Sequence, residues 1–123
     1  MEYKVTIKEC SKELTAREKL FVKDNSNAVR LDTATAEGAL NIEPDYYAIL
    51  SVYNEKAEDT EYNQYVVVDT AGVKYITGSE SFFKAFLEIF ETMADETEAY
   101  SIDVYRMESK NYKGKSFITC SIV

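Results

Sequence analysis

Apolar and polar residues alternate at the start of the chain. Tyr3, Val5 and Ile7 fall to one side of Lys4, Thr6 and Lys8, the period of a half-buried strand over residues 2 to 9. Two more short apolar runs, K-L-F-V-K at 19 to 23 and A-V-R-L-D at 28 to 32, flank D-N-S-N, whose Asn and Asp suit a turn. The pattern predicts a further pair of strands there. Residues 33 to 45 keep no period and run into Pro44, so they read as a loop.

The second part of the chain is more regular. Y-Y-A-I-L-S-V-Y-N-E at 46 to 55 is a long β-branched and aromatic run, and an acidic loop at 56 to 61 separates it from Y-N-Q-Y-V-V-V at 62 to 68. D-T-A-G at 69 to 72 places Asp first and Gly last in a turn, which predicts a second hairpin into V-K-Y-I-T at 73 to 77. The period then changes. Phe83, Phe86, Phe90 and Met93 recur at helical spacing behind Ser79, a suitable cap, so a helix is expected over 79 to 93. The acidic residues at 95 to 98 suit a helix carboxyl end poorly and place its stop near Met93 or Ala94. Beyond it, Tyr100, Ile102 and Val104 alternate with polar positions. The last strand, 116 to 123, is expected to turn Ile118, Cys120 and Ile122 inward.

Three strands joined by two hairpins, one helix and a final hairpin is the element order of the oligonucleotide-binding barrel. The expectation is therefore an all-β chain forming one domain over 1 to 123. In it, 46 to 123 make an OB-fold-like five-stranded barrel with one amphipathic helix, and 1 to 45 add amino-terminal strands and a loop.

Composition narrows the chemistry. The 123 residues contain no His, which excludes Ser-His and Cys-His nucleophilic pairs, imidazole proton shuttles and His-based zinc sites. No P-loop, GxGxxG or EF-hand pattern occurs, and Cys10 and Cys120 lack a CxxC spacing, so no enzyme, catalytic residue, metal or cofactor is expected. No apolar run approaches the ~18 residues of a membrane span, and the amino end lacks a signal-peptide pattern. A cytoplasmic protein without a membrane partner follows.

The formal charge of −8 is unevenly spread. Residues 1 to 30 carry +2, 31 to 103 carry −13, and 104 to 123 carry +3. An acidic chain with basic ends can still present one positive groove. Binding a single strand without sequence preference requires cations for phosphates and exposed rings for bases. The stretch from 105 to 115 supplies both in Tyr105, Arg106, Lys110, Tyr112, Lys113 and Lys115, with Gly114 freeing the backbone. Tyr65 and Tyr75, on the second and third barrel strands, are the candidate platform rings.

On D-T-A-G-V-K-Y-I-T-G-S-E-S-F, the alternating Y-S-I-D-V-Y-R-M-E and the ending S-K-N-Y-K-G-K-S-F-I-T-C-S-I-V, the chain resembles the small single-stranded DNA-binding proteins of protein-primed Bacillus phages. It also looks like small proteins carried by phages and mobile elements of Gram-positive bacteria. The resemblance implies a replication protein in the bacterial host cytoplasm that coats displaced single-stranded DNA, meets other replication proteins and uses no cofactor. It assigns Lys110, Lys113 and Lys115 to phosphate and makes Tyr112 a candidate stacking ring. A monomer and a small homo-oligomer fit equally. The competing reading is an acidic protein-interaction module, such as a DNA mimic whose carboxylates along 31 to 103 imitate phosphates.

Overall fold

The computed structural model describes residues 3–56, 60–109 and 114–123. Helix makes up 22% and strand 44% of the described residues, so the class is mixed α/β rather than all-β. Two open sheets are present and no closed barrel is found among the described residues, which corrects the five-stranded barrel expected above. The chain divides into two compact units. One combines 1–30 with 45–78, and the other combines 31–44 with 79–123.

The first unit holds a five-stranded sheet in the order β1-β4-β5-β6-β2. Strand β1 (Tyr3–Cys10) pairs antiparallel with β4 (Pro44–Asn54), and a register shift between Ile7 and Glu9 accommodates one extra residue as a bulge. Strand β5 (Glu61–Asp69) pairs antiparallel with β6 (Lys74–Thr77) through the predicted turn. That turn forms because the Asp69 carboxylate accepts from the Ala71 and Val73 amides at 3.0 and 2.8 Å while Gly72 takes φ +86°, a conformation that favours glycine. The two-residue β2 (Val29–Arg30) runs parallel to β6.

Helix α1 (Ala16–Lys23) occupies the segment whose apolar run predicted a strand. The T-x-x-E at Thr15 decides the matter. Thr15 accepts from the Glu18 amide at 3.2 Å, and Glu18 accepts from the Thr15 amide at 3.0 Å, a reciprocal cap that starts a helix. Val22 of α1 and Leu14 join Tyr46, Ala48, Leu50, Val52, Val66, Val68 and Ile76 in one apolar core, with Val5, Ile7 and Cys10 packed against it.

Lys74 completes this unit. Its side chain is 2% exposed, and its ammonium donates to the Phe21 and Asp24 carbonyls at the end of α1, 4.3 Å from the Phe21 ring centroid. The Phe21 carbonyl also accepts from the Asp24 amide at 3.3 Å, and a cation at this helix end fills the remaining acceptor capacity and suits the helix dipole. Burial lowers the Lys74 pKa, and nearby Asp24 opposes the shift.

The second unit packs α3 (Glu80–Thr92) on a three-stranded sheet, β3-β7-β8. Ser79 caps the helix by accepting from the Phe82 amide at 3.2 Å, as its sequence predicts, and the cap at Met93 agrees with the expected stop. Phe82, Phe83 and Phe86 are buried in this unit, as are Ile42, Ile102, Val104, Ile118 and Cys120. The Phe82 and Phe86 rings stack at 5.8 Å.

Two elements here lie where a loop or strand was expected. The first is α2 (Leu31–Ala34), which follows β2 directly; the second is β3 (Leu40–Ile42), antiparallel to β7 (Ile102–Glu108). Strand β7 pairs in turn with β8 (Ser116–Ile122). Ile122 is exposed instead of buried, because the core side of β8 ends at Cys120 and Ile122 pairs at the terminus of the hairpin.

Both cysteines are free. Burial pushes the Cys120 thiol up to about 12. A thiol reagent at pH 8 should therefore titrate partly exposed Cys10 in the native protein and reach Cys120 only after unfolding; equal native rates would contradict the buried placement.

Replacing Lys74 with Met removes the ammonium bonds to both carbonyls, leaving the Phe21 carbonyl with the Asp24 amide, and should cost ~1 to 3 kcal/mol in urea unfolding. The folded pKa of Lys74 lies below its ordinary 10.5, so the native state binds fewer protons just below that value. Stability from this group is complete above 10.5 and declines as pH falls through the folded pKa. The difference between wild type and Lys74→Met should accordingly widen as pH is raised toward 10.5.

Candidate nucleic-acid interface

The period of two along β7 and β8 sets which side chains leave the core. Val104, Ile118 and Cys120 turn inward, so Asp103, Tyr105 and Met107 of β7 lie with Phe117, Thr119 and Ser121 of β8 on the other face. Register places Met107 opposite Phe117 and Tyr105 opposite Thr119. Met107 is 45% exposed and Phe117 37%, so a thioether and a ring stand side by side in solvent. The Tyr105 hydroxyl meets the Ser121 hydroxyl at 2.6 Å, which holds its half-buried ring along the strand.

This face is graded electrically. At one end Asn41 donates to Asp103 at 3.0 Å and to Ser101 at 3.1 Å, a polar patch carrying a carboxylate. At the other end the hairpin closes through the Ser109 amide donating to the Lys115 carbonyl at 2.9 Å, with Gly114 at φ +80° and Lys115 exposed. Lys110, Tyr112 and Lys113 fall outside the described residues.

The remaining predicted site residues are placed differently from a platform. Arg106 is turned to the other face of β7 and clasps its own unit. Its Nε donates to Thr35 Oγ1 at 3.1 Å, Nη1 to Ser116 Oγ at 3.0 Å and Nη2 to the Asp32 carbonyl at 2.5 Å. Tyr65 is 7% exposed and offers no ring face to a base, because β5 is buried on both sides, Val66 and Val68 on one and Tyr65 and Val67 on the other. Tyr75 is half-buried, and its hydroxyl donates to Asp69 at 3.2 Å; burial foremost, then the Asp69 charge, raises its pKa.

The residues that sequence reading missed are Met107 and Phe117. The signal was present: if Ile118 and Cys120 face the core, Phe117 and Thr119 face away.

Among the described residues, no group of three or more His, Cys, Asp or Glu side chains is placed to hold a metal, and no helix is long and apolar enough to cross a membrane. No protein-family model, curated protein or solved structure matches the chain.

The three guanidinium bonds of Arg106 make a structural prediction. Arg106→Ala should lower the unfolding free energy by ~1 to 3 kcal/mol, since it strips donors from Thr35, Ser116 and the Asp32 carbonyl. An unchanged urea midpoint, with weaker binding of a single strand, would instead make Arg106 a phosphate contact.

Proposed function

We propose that the chain binds single-stranded DNA without strong sequence preference and coats it, as a replication protein of a phage or mobile element. The outer face of β7 and β8 is the contact surface. One observation carries the reading: Tyr105, Met107 and Phe117 lie on one face of the strand pair whose connecting loop carries the lysines. Bases stack on exposed rings whatever their identity, and lysines follow the phosphates, so this combination suits a strand rather than a sequence.

The order of β4, β5, β6, α3, β7 and β8 supports the same reading, for it is the strand and helix order of an oligonucleotide-binding fold. So does the resemblance of residues 69 to 123 to single-stranded DNA-binding proteins of protein-primed phages. In this reading Tyr105 and Phe117 stack, Lys110, Lys113 and Lys115 neutralise phosphate, and Tyr112 adds a ring in the loop. Arg106 and Tyr65 support the scaffold.

The chain contains no Trp, so tyrosine emission reports binding directly. Titration with oligo-dT should quench it at low salt. Three lysines on phosphate give a log-log salt slope near −2, from ~0.7 ion released per contact, and Lys115→Glu should flatten that slope by more than one contact's worth. Phe117→Ala should weaken binding by ~1 to 3 kcal/mol, the worth of one stacked base, with little change in slope. A folded protein that gives no quenching at low salt would overturn the reading and direct the search to a protein partner of the acidic segment.

A further inference from the structure

Helix α1 carries a solvent face that its own unit does not use. It buries one side chain, Val22, and leaves Leu20 71% exposed, with Phe21, whose ring also meets the Lys74 ammonium, 36% exposed beside it. Around them stand Arg17, Lys19 and Lys23, all exposed, and among the described residues none of the three forms an ion pair. Glu18, the helix's one acidic residue, is already matched by Lys12 at 2.8 Å and by the cap at Thr15. The surface is therefore an apolar knob within uncompensated positive charge, a combination that calls for an apolar contact rimmed by carboxylates.

The chain itself supplies that complement. Glu88 and Glu91 of α3, followed by Asp95, Glu96 and Glu98, are exposed, and among the described residues they form no ion pair. Half-buried Leu87 lies one residue before Glu88 on the same helix, while Lys84, one turn earlier, marks where the acidic stripe ends. We infer that the α1 face of one copy, Leu20 and Phe21 within Arg17, Lys19 and Lys23, docks on the carboxylate-bearing end of α3 of a second copy, so that chains associate head to tail. Such a contact uses two different surfaces, so each copy keeps one of each free for the next neighbour. It needs no DNA, and its success or failure is separate from the strand-binding proposal.

Velocity sedimentation of the whole chain without DNA tests this. At ~0.1 M salt the weight-average sedimentation coefficient should rise with protein concentration, and at ~1 M salt, where the Debye length falls from ~10 to ~3 Å, it should return to the monomer value. The pair Lys19→Glu and Lys23→Glu, and separately the pair Glu88→Lys and Glu91→Lys, should each weaken association by at least ~10-fold, as expected for lost complementarity plus like-charge repulsion. Mixing the two variants should restore it, because each then meets an oppositely charged surface. Leu20→Ser, which changes no charge, gives an independent reading should a charge variant melt early; it too should weaken association. A chain that stays monomeric at low salt, or variants that associate like wild type, would overturn the inference. So would a mixture that fails to associate. Loss of oligo-dT binding by the Lys19 and Lys23 variant, with sedimentation unchanged, would make the α1 face a nucleic-acid surface instead.

Discussion

The ammonium of Lys74 is the fastening on which the amino-terminal segment of the first unit depends. Helix α1 is eight residues long and buries one side chain in the core, too little to hold a helix that short in place. Lys74 reaches the carbonyls of Phe21 and Asp24 from β6, offsetting its own desolvation by satisfying acceptors at the helix end, where the Phe21 carbonyl also takes the Asp24 amide. The chain then passes into β2, whose two residues pair with the same strand that carries Lys74. In the second unit Arg106 holds Asp32 and Thr35, at and just after the four-residue α2, in the same way, from β7. Each unit thus uses one long cationic side chain to anchor a helix that local propensity cannot sustain.

This use of cations explains much of what was and was not legible in the sequence. Strong periodicity placed β4, β5, β6, α3, β7 and β8 within a few residues, because each presents a continuous face to a core. Residues 16 to 42 were obscure for the opposite reason. Their elements are two to eight residues long, too short to display a period, and their positions are fixed by side chains remote in sequence. K-L-F-V-K looks like a strand on composition alone, and only the reciprocal cap between Thr15 and Glu18 argues otherwise.

At the candidate interface, Tyr105 was legible from alternation, and Phe117 would have been had the inward set on β8 been followed one residue further. Tyr65 was not legible. A strand rich in aromatic and β-branched residues reads as having one wet face, yet β5 carries Val66, Val68, Tyr65 and Val67 all buried. Ile122 shows the same limit from the other side, since alternation continues along β8 after the core has ended. Period gives the side of a strand, and the reach of the opposing layer decides whether that side is dry.

The proposed binding of a polyanion by a protein of net charge −8 requires its charges to be separated. Here the outer face of β7 and β8 runs from a carboxylate at Asp103 to the lysine-bearing loop, with Tyr105, Met107 and Phe117 between them. The most direct measurement of whether this face meets a single strand is residue-by-residue nuclear magnetic resonance of the labelled chain on addition of oligo-dT at low salt. Saturable shifts concentrated on Tyr105, Met107, Phe117, Thr119 and Lys115, with the signals of Tyr65 and Ala48 still, are the predicted result. Shifts confined to other surfaces, or none at all with the spectrum of a folded protein, would contradict the account.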